Sequence, residues 1–256
     1  MDWTIPFKPI VFGHTVNVHL WLEYLAFFVG FRYYVILRKQ QGDQISSEHR
    51  LSIILGAVLG AFIGSRLMGF LESPQPIQSA EMLITVLNGK TIMGGLFGGL
   101  IGVELMKKMI GEERRSGDLF TLPIILGIMI GRVGCFLTGV NEFTYGTVSK
   151  GPLAMDLGDG LLRHPIALYE IVFLLILFWA LGRVQRHFRR LPEGHLFQFF
   201  MIAYFGFRFC IEFIKPNVFF VAGLSSIQWL CVLCWLYYQR TIRHYLKYAG
   251  QKLHLL

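Results

Sequence analysis

Leu119 to Gly139 reads LFTLPIILGIMIGRVGCFLTG, an apolar stretch interrupted by one charge, Arg132. A helix of roughly 20 mostly apolar residues crosses the hydrocarbon core of a bilayer, so the stretch predicts a transmembrane helix. Six more stretches read the same way: about 18–37, 51–71, 86–106, 166–183, 195–214 and 224–239. A shorter apolar piece, Ala80 to Leu87, precedes the third span and reads as interfacial or re-entrant. The longest connection is the loop 140–165, and no soluble domain stands out. The expectation is therefore an all-α polytopic membrane bundle of seven transmembrane helices, forming one domain over residues 1–256.

Composition agrees with that reading. Hydrophobic residues make up 54% of the 256, aromatics 15%, and charged residues only 16%, against about a quarter in soluble domains. Mean hydropathy is +0.53. Four cysteines in a chain of this length exclude a disulfide scaffold. Met1 to Val18 lacks a basic start followed by a clean apolar run, so no cleavable signal peptide is expected.

The net charge of +8 has an address. Fifteen of the 24 Lys and Arg follow spans one, three, five and seven, among them Arg38, Lys107, Arg186 and Arg243. The opposite face carries Lys8, Lys150, Arg163 and Lys215. By the positive-inside rule the N-terminus lies outside and the C-terminus in the cytoplasm. The excess charge is thus a topology signal and an attraction to anionic membrane lipid, and no nucleic-acid partner is expected.

Small residues recur every four positions in three spans: Gly56, Gly60 and Gly64; Gly94, Gly98 and Gly102; Gly127 and Gly131. Such faces allow close helix approach where no hydrophobic effect drives association. They predict tight packing rather than a wide pore.

Five basic residues remain within spans: Arg32, Arg66, Lys90, Arg132 and Arg208. Charges at that depth are expensive and mark function or ion pairing. On the predicted topology all but Arg32 fall in outer halves, as do the acids Glu23, Glu170 and Glu212. Guanidinium forks bind phosphate bidentately, and the outer leaflet presents phosphate as phospholipid headgroups. A headgroup site is one reading, and salt bridges that only tie helices together are the other.

Three segments carry a resemblance. Gly131-Arg-Val-Gly-Cys-Phe-Leu-Thr-Gly139, with Glu142 and Gly146 after it, is similar to Gly-Arg-x-Gly-Asn-Phe-x-Asn-x-Glu followed by Gly. His164-Pro-Ile-Ala-Leu-Tyr-Glu170 is similar to His-Pro-x-Gln-Leu-Tyr-Glu. Tyr204-Phe-Gly-Phe-Arg-Phe-Cys-Ile-Glu212, followed by Gln228-Trp229, is the third. These patterns resemble the bacterial phosphatidylglycerol–prolipoprotein diacylglyceryl transferase family, collinearly over nearly the whole chain. Gly64-Ser-Arg66, Gly94-Gly-Leu-Phe-Gly98 and Asp118 are weaker matches.

The resemblance implies transfer of a diacylglyceryl group from phosphatidylglycerol to the lipobox cysteine of a preprolipoprotein, in its signal-peptide region. Glycerol phosphate leaves. The setting would be the bacterial cytoplasmic (inner) membrane, with the site facing its outer side. Arg132, Arg208, Tyr204, Glu212 and His164 would carry catalysis. Arg66, Arg132, Arg208, Gly94 and Gly95 would hold the phospholipid, and Cys135, Glu142, Glu170 and Glu23 are further candidates. No metal and no soluble cofactor is implied, since both substrates arrive from the membrane. The outer loop 140–165 would cover the pocket or guide the acceptor.

The chain also departs from the pattern. Met93 stands where the family has His before its Gly-Gly tract, leaving His164 and Tyr204 as candidates for that role. Cys135 and Thr138 replace two Asn, Ala167 replaces Gln, and Glu142 lies further along than the signature places its Glu. The family's first-span aromatic falls at or beside Glu23 and Tyr24. Cys135 reads either as packing at a helix interface or as a nucleophile whose thiol Arg132 activates. Cys231 and Cys234 read as packing, and Asp118 as a helix N-terminal residue. Two rivals follow: a paralogue serving another acceptor, and a non-catalytic phospholipid binder or transporter. A transporter predicts internal repeats, and none is visible.

Overall fold

A computed structural model describes residues 5–72, 89–187, 191–217 and 221–253. Eight α-helices occupy most of the described residues: α1 (Val18–Gln41), α2 (Ser47–Glu72), α3 (Ile92–Ile110), α4 (Asp118–Thr138), α5 (Ile166–His187), α6 (His195–Ile211), α7 (Ser226–Tyr237) and α8 (Gln239–Leu253). Two short hairpins accompany them, β1 (Ile10–Val11) with β2 (His14–Thr15), and β3 (Met155–Asp156) with β4 (Leu162–Arg163), both antiparallel.

Helix ends follow local chemistry. The Asn17 side chain accepts from the Leu20 N–H at 3.1 Å and starts α1, while Arg38 and Lys39 sit in its last turn, favourable to the helix dipole. Thr91 caps α3 through the Gly94 N–H at 3.1 Å, and Gly111, left-handed at φ 69°, closes it. Ser225 and Gln228 form a reciprocal capping box on α7. The Gln-Trp pair singled out by sequence thus begins with a capping residue.

Among the described residues, five helices are long and apolar enough to cross a membrane: Val18–Gln41, Ser47–Glu72, Asp118–Asn141, Ile166–His187 and His195–Ile214. They coincide with five of the seven expected spans. The other two differ for visible reasons. The expected third span starts at 86–88, outside the described residues, as does the piece 80–87. Its described helix, α3, carries Glu104, Lys107 and Lys108. The expected seventh span, 224–239, corresponds to α7, of 12 residues, and the polar α8 begins at Gln239, where that span ends. At 1.5 Å per residue, α7 alone is shorter than the ~30 Å hydrocarbon core. Large apolar side chains on α1, such as Phe27, Phe28 and Phe31, are exposed in a way that suits hydrocarbon surroundings.

The chain folds as two compact units. The first takes residues up to Asp43, Ser116–Phe200 and Phe213–Pro216. Within it α1 packs along α4, with Tyr34 stacked on Phe120 at 4.4 Å between ring centroids. Close approach uses glycines on both helices. A Cβ on Gly30 would lie 3.3 Å from the Pro123 carbonyl oxygen, and one on Gly134 2.8 Å from the His19 ring. Gly127 faces the Ala26 carbonyl, whereas Gly131 meets nothing within 4 Å. The tight face of α4 is therefore 127 and 134, not 127 and 131: a seven-residue step keeps to one helix face better than a step of four.

The second unit comprises Gln44–Arg115, Met201–Glu212 and residues from Asn217 onward. Its centre is the glycine-to-glycine contact that the sequence predicts. Gly56 opposes Gly102, Gly60 opposes Gly98 and Gly64 opposes Gly94, backbone against backbone, with no room for a Cβ.

The loop 140–165 in the first unit is ordered by backbone pairing. It begins with a 3-10 turn, Gly139–Asn141. Val140 N–H donates to the Leu157 carbonyl at 3.1 Å and Thr147 N–H to the Ile214 carbonyl at 2.8 Å. The Asp156 carboxylate accepts from the N–H groups of Gly158, Asp159 and Gly160 and so closes the β3–β4 turn. Gly146, from the signature, is fitted tightly: a Cβ there would lie 2.6 Å from that of His164 and 3.1 Å from the Ile214 carbonyl oxygen.

Candidate active site

Arg132 lies on α4, buried, with Nε 2.8 Å from Oε1 of Glu170 on α5. Glu170 is wholly buried. A charge in such surroundings persists only if another compensates it, so the pair is a preorganised guanidinium held by its counter-ion. One turn further along α4, Cys135 Sγ sits 3.7 Å from Arg132 Nη1.

His19, near the start of α1, completes this cluster. Its Nε2 is 3.6 Å from Cys135 Sγ, and its Nδ1 is 3.1 Å from Glu142 Oε1. Glu23, one turn along α1, stands 3.8 Å from Nε2. Backbone geometry explains why these groups meet. Gly134 has no side chain where the His19 ring lies. Gly139, at φ 59°, ends α4, and the 3-10 turn after it directs the chain so that Glu142 reaches His19. The turn also explains how Glu142 can lie further along than the signature places it and still face the cluster.

The sequence reading missed His19. Its signal was an ionisable residue four before Glu23 at the start of an apolar run, which is the spacing of one helical face. Glu23, Glu142, Glu170, Arg132 and Cys135 are brought together in this unit. His164 stands two residues before α5, with Nδ1 3.1 Å from the Tyr169 hydroxyl. Its backbone pairs with Thr147 and Gly146, as suits a residue at a helix start. Asp118 caps α6 rather than its own helix: its carboxylate accepts from Gly194 N–H at 2.7 Å and Phe197 N–H at 3.0 Å.

The second unit holds the other predicted residues. Arg208 Nη2 donates to Glu212 Oε1 at 2.9 Å, and both are buried. The same carboxylate accepts from Asn217 at 3.0 Å and from the Ser225 hydroxyl at 3.4 Å. Tyr204, one turn before Arg208 on α6, is fully buried. Arg66 donates to the Gly89 carbonyl at 3.4 Å and lies 5.5 Å from the Phe62 ring centroid. Gly94 is buried against Gly64 and Met68, while a Cβ on Gly95 would have its nearest neighbours at 3.8 Å. Met93 is 1% exposed. Cys231 and Cys234 are buried free thiols of α7, as suits packing residues.

Chemically, the first unit offers a cation that can receive phosphate, a thiol, an imidazole and a carboxylate that orients it. The second offers a guanidinium fixed by a hydrogen-bonded carboxylate.

Comparison with known proteins gives these clusters a context. The sequence profile of the family described as prolipoprotein diacylglyceryl transferase matches residues 10–239. The phosphatidylglycerol–prolipoprotein diacylglyceryl transferase of Bordetella bronchiseptica is 31% identical over 236 residues, covering 81% of this chain and 84% of its own. The enzyme of that name from Wolbachia of Brugia malayi is 32% identical over 224 residues, with 81% and 82% covered. That of Nitratidesulfovibrio vulgaris is 31% identical over 195 residues, with 71% and 69% covered.

Proposed function

Because the chain belongs to the prolipoprotein diacylglyceryl transferase family, we propose that it moves the diacylglyceryl group of phosphatidylglycerol onto a cysteine thiol of a prolipoprotein. The observation that carries this reading is the family match, which runs through the tract holding Arg132 and onward past Arg208. The thiol sulfur forms a bond to the glycerol carbon that carries the phosphate. The C–O bond breaks, its electron pair stays on the phosphate oxygen, and glycerol phosphate departs. The thiol proton goes to a base.

Two demands follow. Charge that develops on the leaving phosphate needs preorganised cations in a site poor in water. From the resemblance we assign that demand to Arg132 in the first unit and, in the second, to Arg208, with Arg66 as a phosphate contact and Gly94 and Gly95 as lipid contacts. Glu170 and Glu212 position the two guanidinium groups, and Tyr204 and His164 act as polar partners of substrate. The second demand is a thiolate, since a thiol of pKa about 8.5 is only a few per cent ionised at neutral pH.

The acceptor is the lipobox segment of a signal peptide, and the chain works in a bacterial inner membrane with its site toward the outer side. The positive-inside count supports that orientation, with the N-terminus outside and seven spans. Incubating the purified chain in detergent with phosphatidylglycerol and a single-cysteine lipobox peptide tests the proposal. Mass spectrometry should find the peptide heavier by one diacylglyceryl group. Glycerol phosphate released with no peptide adduct would favour a paralogue with another acceptor, the reading that Met93 in the family's His position allows. No product with lipid still bound would leave a phospholipid-binding relative.

A further inference from the structure

Transfer to a thiol requires a base, and the position where the family carries His before its Gly-Gly tract holds Met93, a thioether that takes no proton. The first unit contains an imidazole already arranged toward sulfur. We infer that His19 is the thiol base of this chain, that Glu142 holds its ring, and that an incoming thiol approaches Nε2 beside Cys135 Sγ. The identity of that incoming thiol rests on the function proposed above. The reactivity of the His19–Cys135 pair does not.

Four observations carry the inference. Glu142 Oε1 stands 3.1 Å from Nδ1, placed to accept its proton, which leaves Nε2 as the acceptor of the neutral ring with Glu23 Oε1 3.8 Å away. Cys135 Sγ lies 3.6 Å from that Nε2, the order of groups in a thiol–imidazole–carboxylate relay. Arg132 Nη1, whose guanidinium Glu170 also holds, stands 3.7 Å from the same sulfur. Finally, Cys135, which is 8% exposed, lines a small cavity together with Thr144, Tyr145, Leu157 and Pro165. Gly134 contributes by absence, because any Cβ there would press on the His19 ring.

In the proposed step His19 Nε2 takes the proton of the acceptor thiol as its sulfur bonds the glycerol carbon. The proton then leaves His19 for solvent or for the departing phosphate. Cys135 is not a carrier in this scheme. A diacylglyceryl thioether formed on it would have no good leaving group, so such an adduct would end turnover rather than pass the lipid on.

N-ethylmaleimide reads out the pair without any lipid. Wild type, His19→Gln and Glu142→Gln would be labelled in detergent at neutral pH and mapped by mass spectrometry. Because an unactivated thiol is only a few per cent ionised, Cys135 should react more than about tenfold faster than Cys231 or Cys234. His19→Gln should remove that advantage, and Glu142→Gln should reduce it. In His19→Ala, added imidazole should restore part of the rate, which a misfolded variant would not show. In the transferase assay His19→Gln should lose about a hundredfold or more in turnover with KM for phosphatidylglycerol little changed.

Labelling of Cys135 no faster than that of Cys231 and Cys234, or equally fast in His19→Gln, would overturn the inference. The two readings fail separately. Rapid His19-dependent labelling with no peptide adduct removes the transferase and leaves the thiol site. A peptide adduct formed by His19→Gln at the wild-type rate removes His19 as base and leaves the transferase.

Discussion

Arg132 and Glu170 face each other across α4 and α5 at 2.8 Å, the acid wholly buried and the guanidinium nearly so. Removing one partner of such a pair strands a buried charge, which costs about 3–5 kcal/mol. Glu170→Ala should therefore lower the thermal midpoint in detergent sharply, and Arg132→Ala should do likewise. The double variant should regain much of the lost stability, since no lone charge remains, yet stay without turnover. Equal instability of single and double variants would mean that the pair does no electrostatic work.

The two buried ion pairs, one in each unit, were legible in the sequence. An arginine in an otherwise apolar span announces itself, and the signature around Arg132, the His-Pro motif and the Arg208–Glu212 spacing all pointed to residues that the structure finds buried and paired. His19 and the reach of Glu142 were not legible. Glu142 depends on how a 3-10 turn after Gly139 redirects the chain, and His19 on how α1 packs against α4 at Gly134, where neighbours 116 residues apart leave no periodic trace. The end of the last expected span was legible as well, because the apolar run of α7 gives way to the polar, basic α8 at Gln239.

Gly134 provides a test of positioning that spares every ionisable group. Its Cβ would lie 2.8 Å from His19 Cδ2. Gly134→Ala should displace the ring by a few tenths of an ångström or more, slow turnover, and leave phosphatidylglycerol binding near wild type. Unaltered kcat in this variant would show that the ring position is unimportant to the reaction.

The α2–α3 contact separates two glycines that look alike in sequence. Gly60→Ala places a methyl group against the Gly98 carbonyl, whereas Gly95→Ala meets its nearest atoms at 3.8 Å. Overpacking of this kind costs about 1–3 kcal/mol. Thermal unfolding in detergent should fall clearly for Gly60→Ala and change little for Gly95→Ala.

The β3–β4 hairpin should respond to acid. Arg163 hydrogen-bonds to Asp159, with Nη2 to Oδ2 at 2.7 Å, and holds its carboxyl below the ordinary carboxylate range. The ion pair is therefore fully present above the carboxyl's unfolded pKa and is lost as pH falls through its depressed folded value. Amide hydrogen exchange in residues 155–163 should accelerate across that acid window, and Asp159→Asn should abolish the pH dependence. The exposed position keeps the effect local and small.

In the proposed reaction one displacement joins lipid to thiol. Counting both products of the same incubation tests it most directly, using lipobox peptide, phosphatidylglycerol and the purified chain, with Arg132→Lys as the comparison. One glycerol phosphate should appear for each peptide thioether at every time point, and both should be lost together in the variant, because Lys cannot reproduce the guanidinium fork. Glycerol phosphate accumulating without thioether, or thioether forming undiminished in Arg132→Lys, would contradict it.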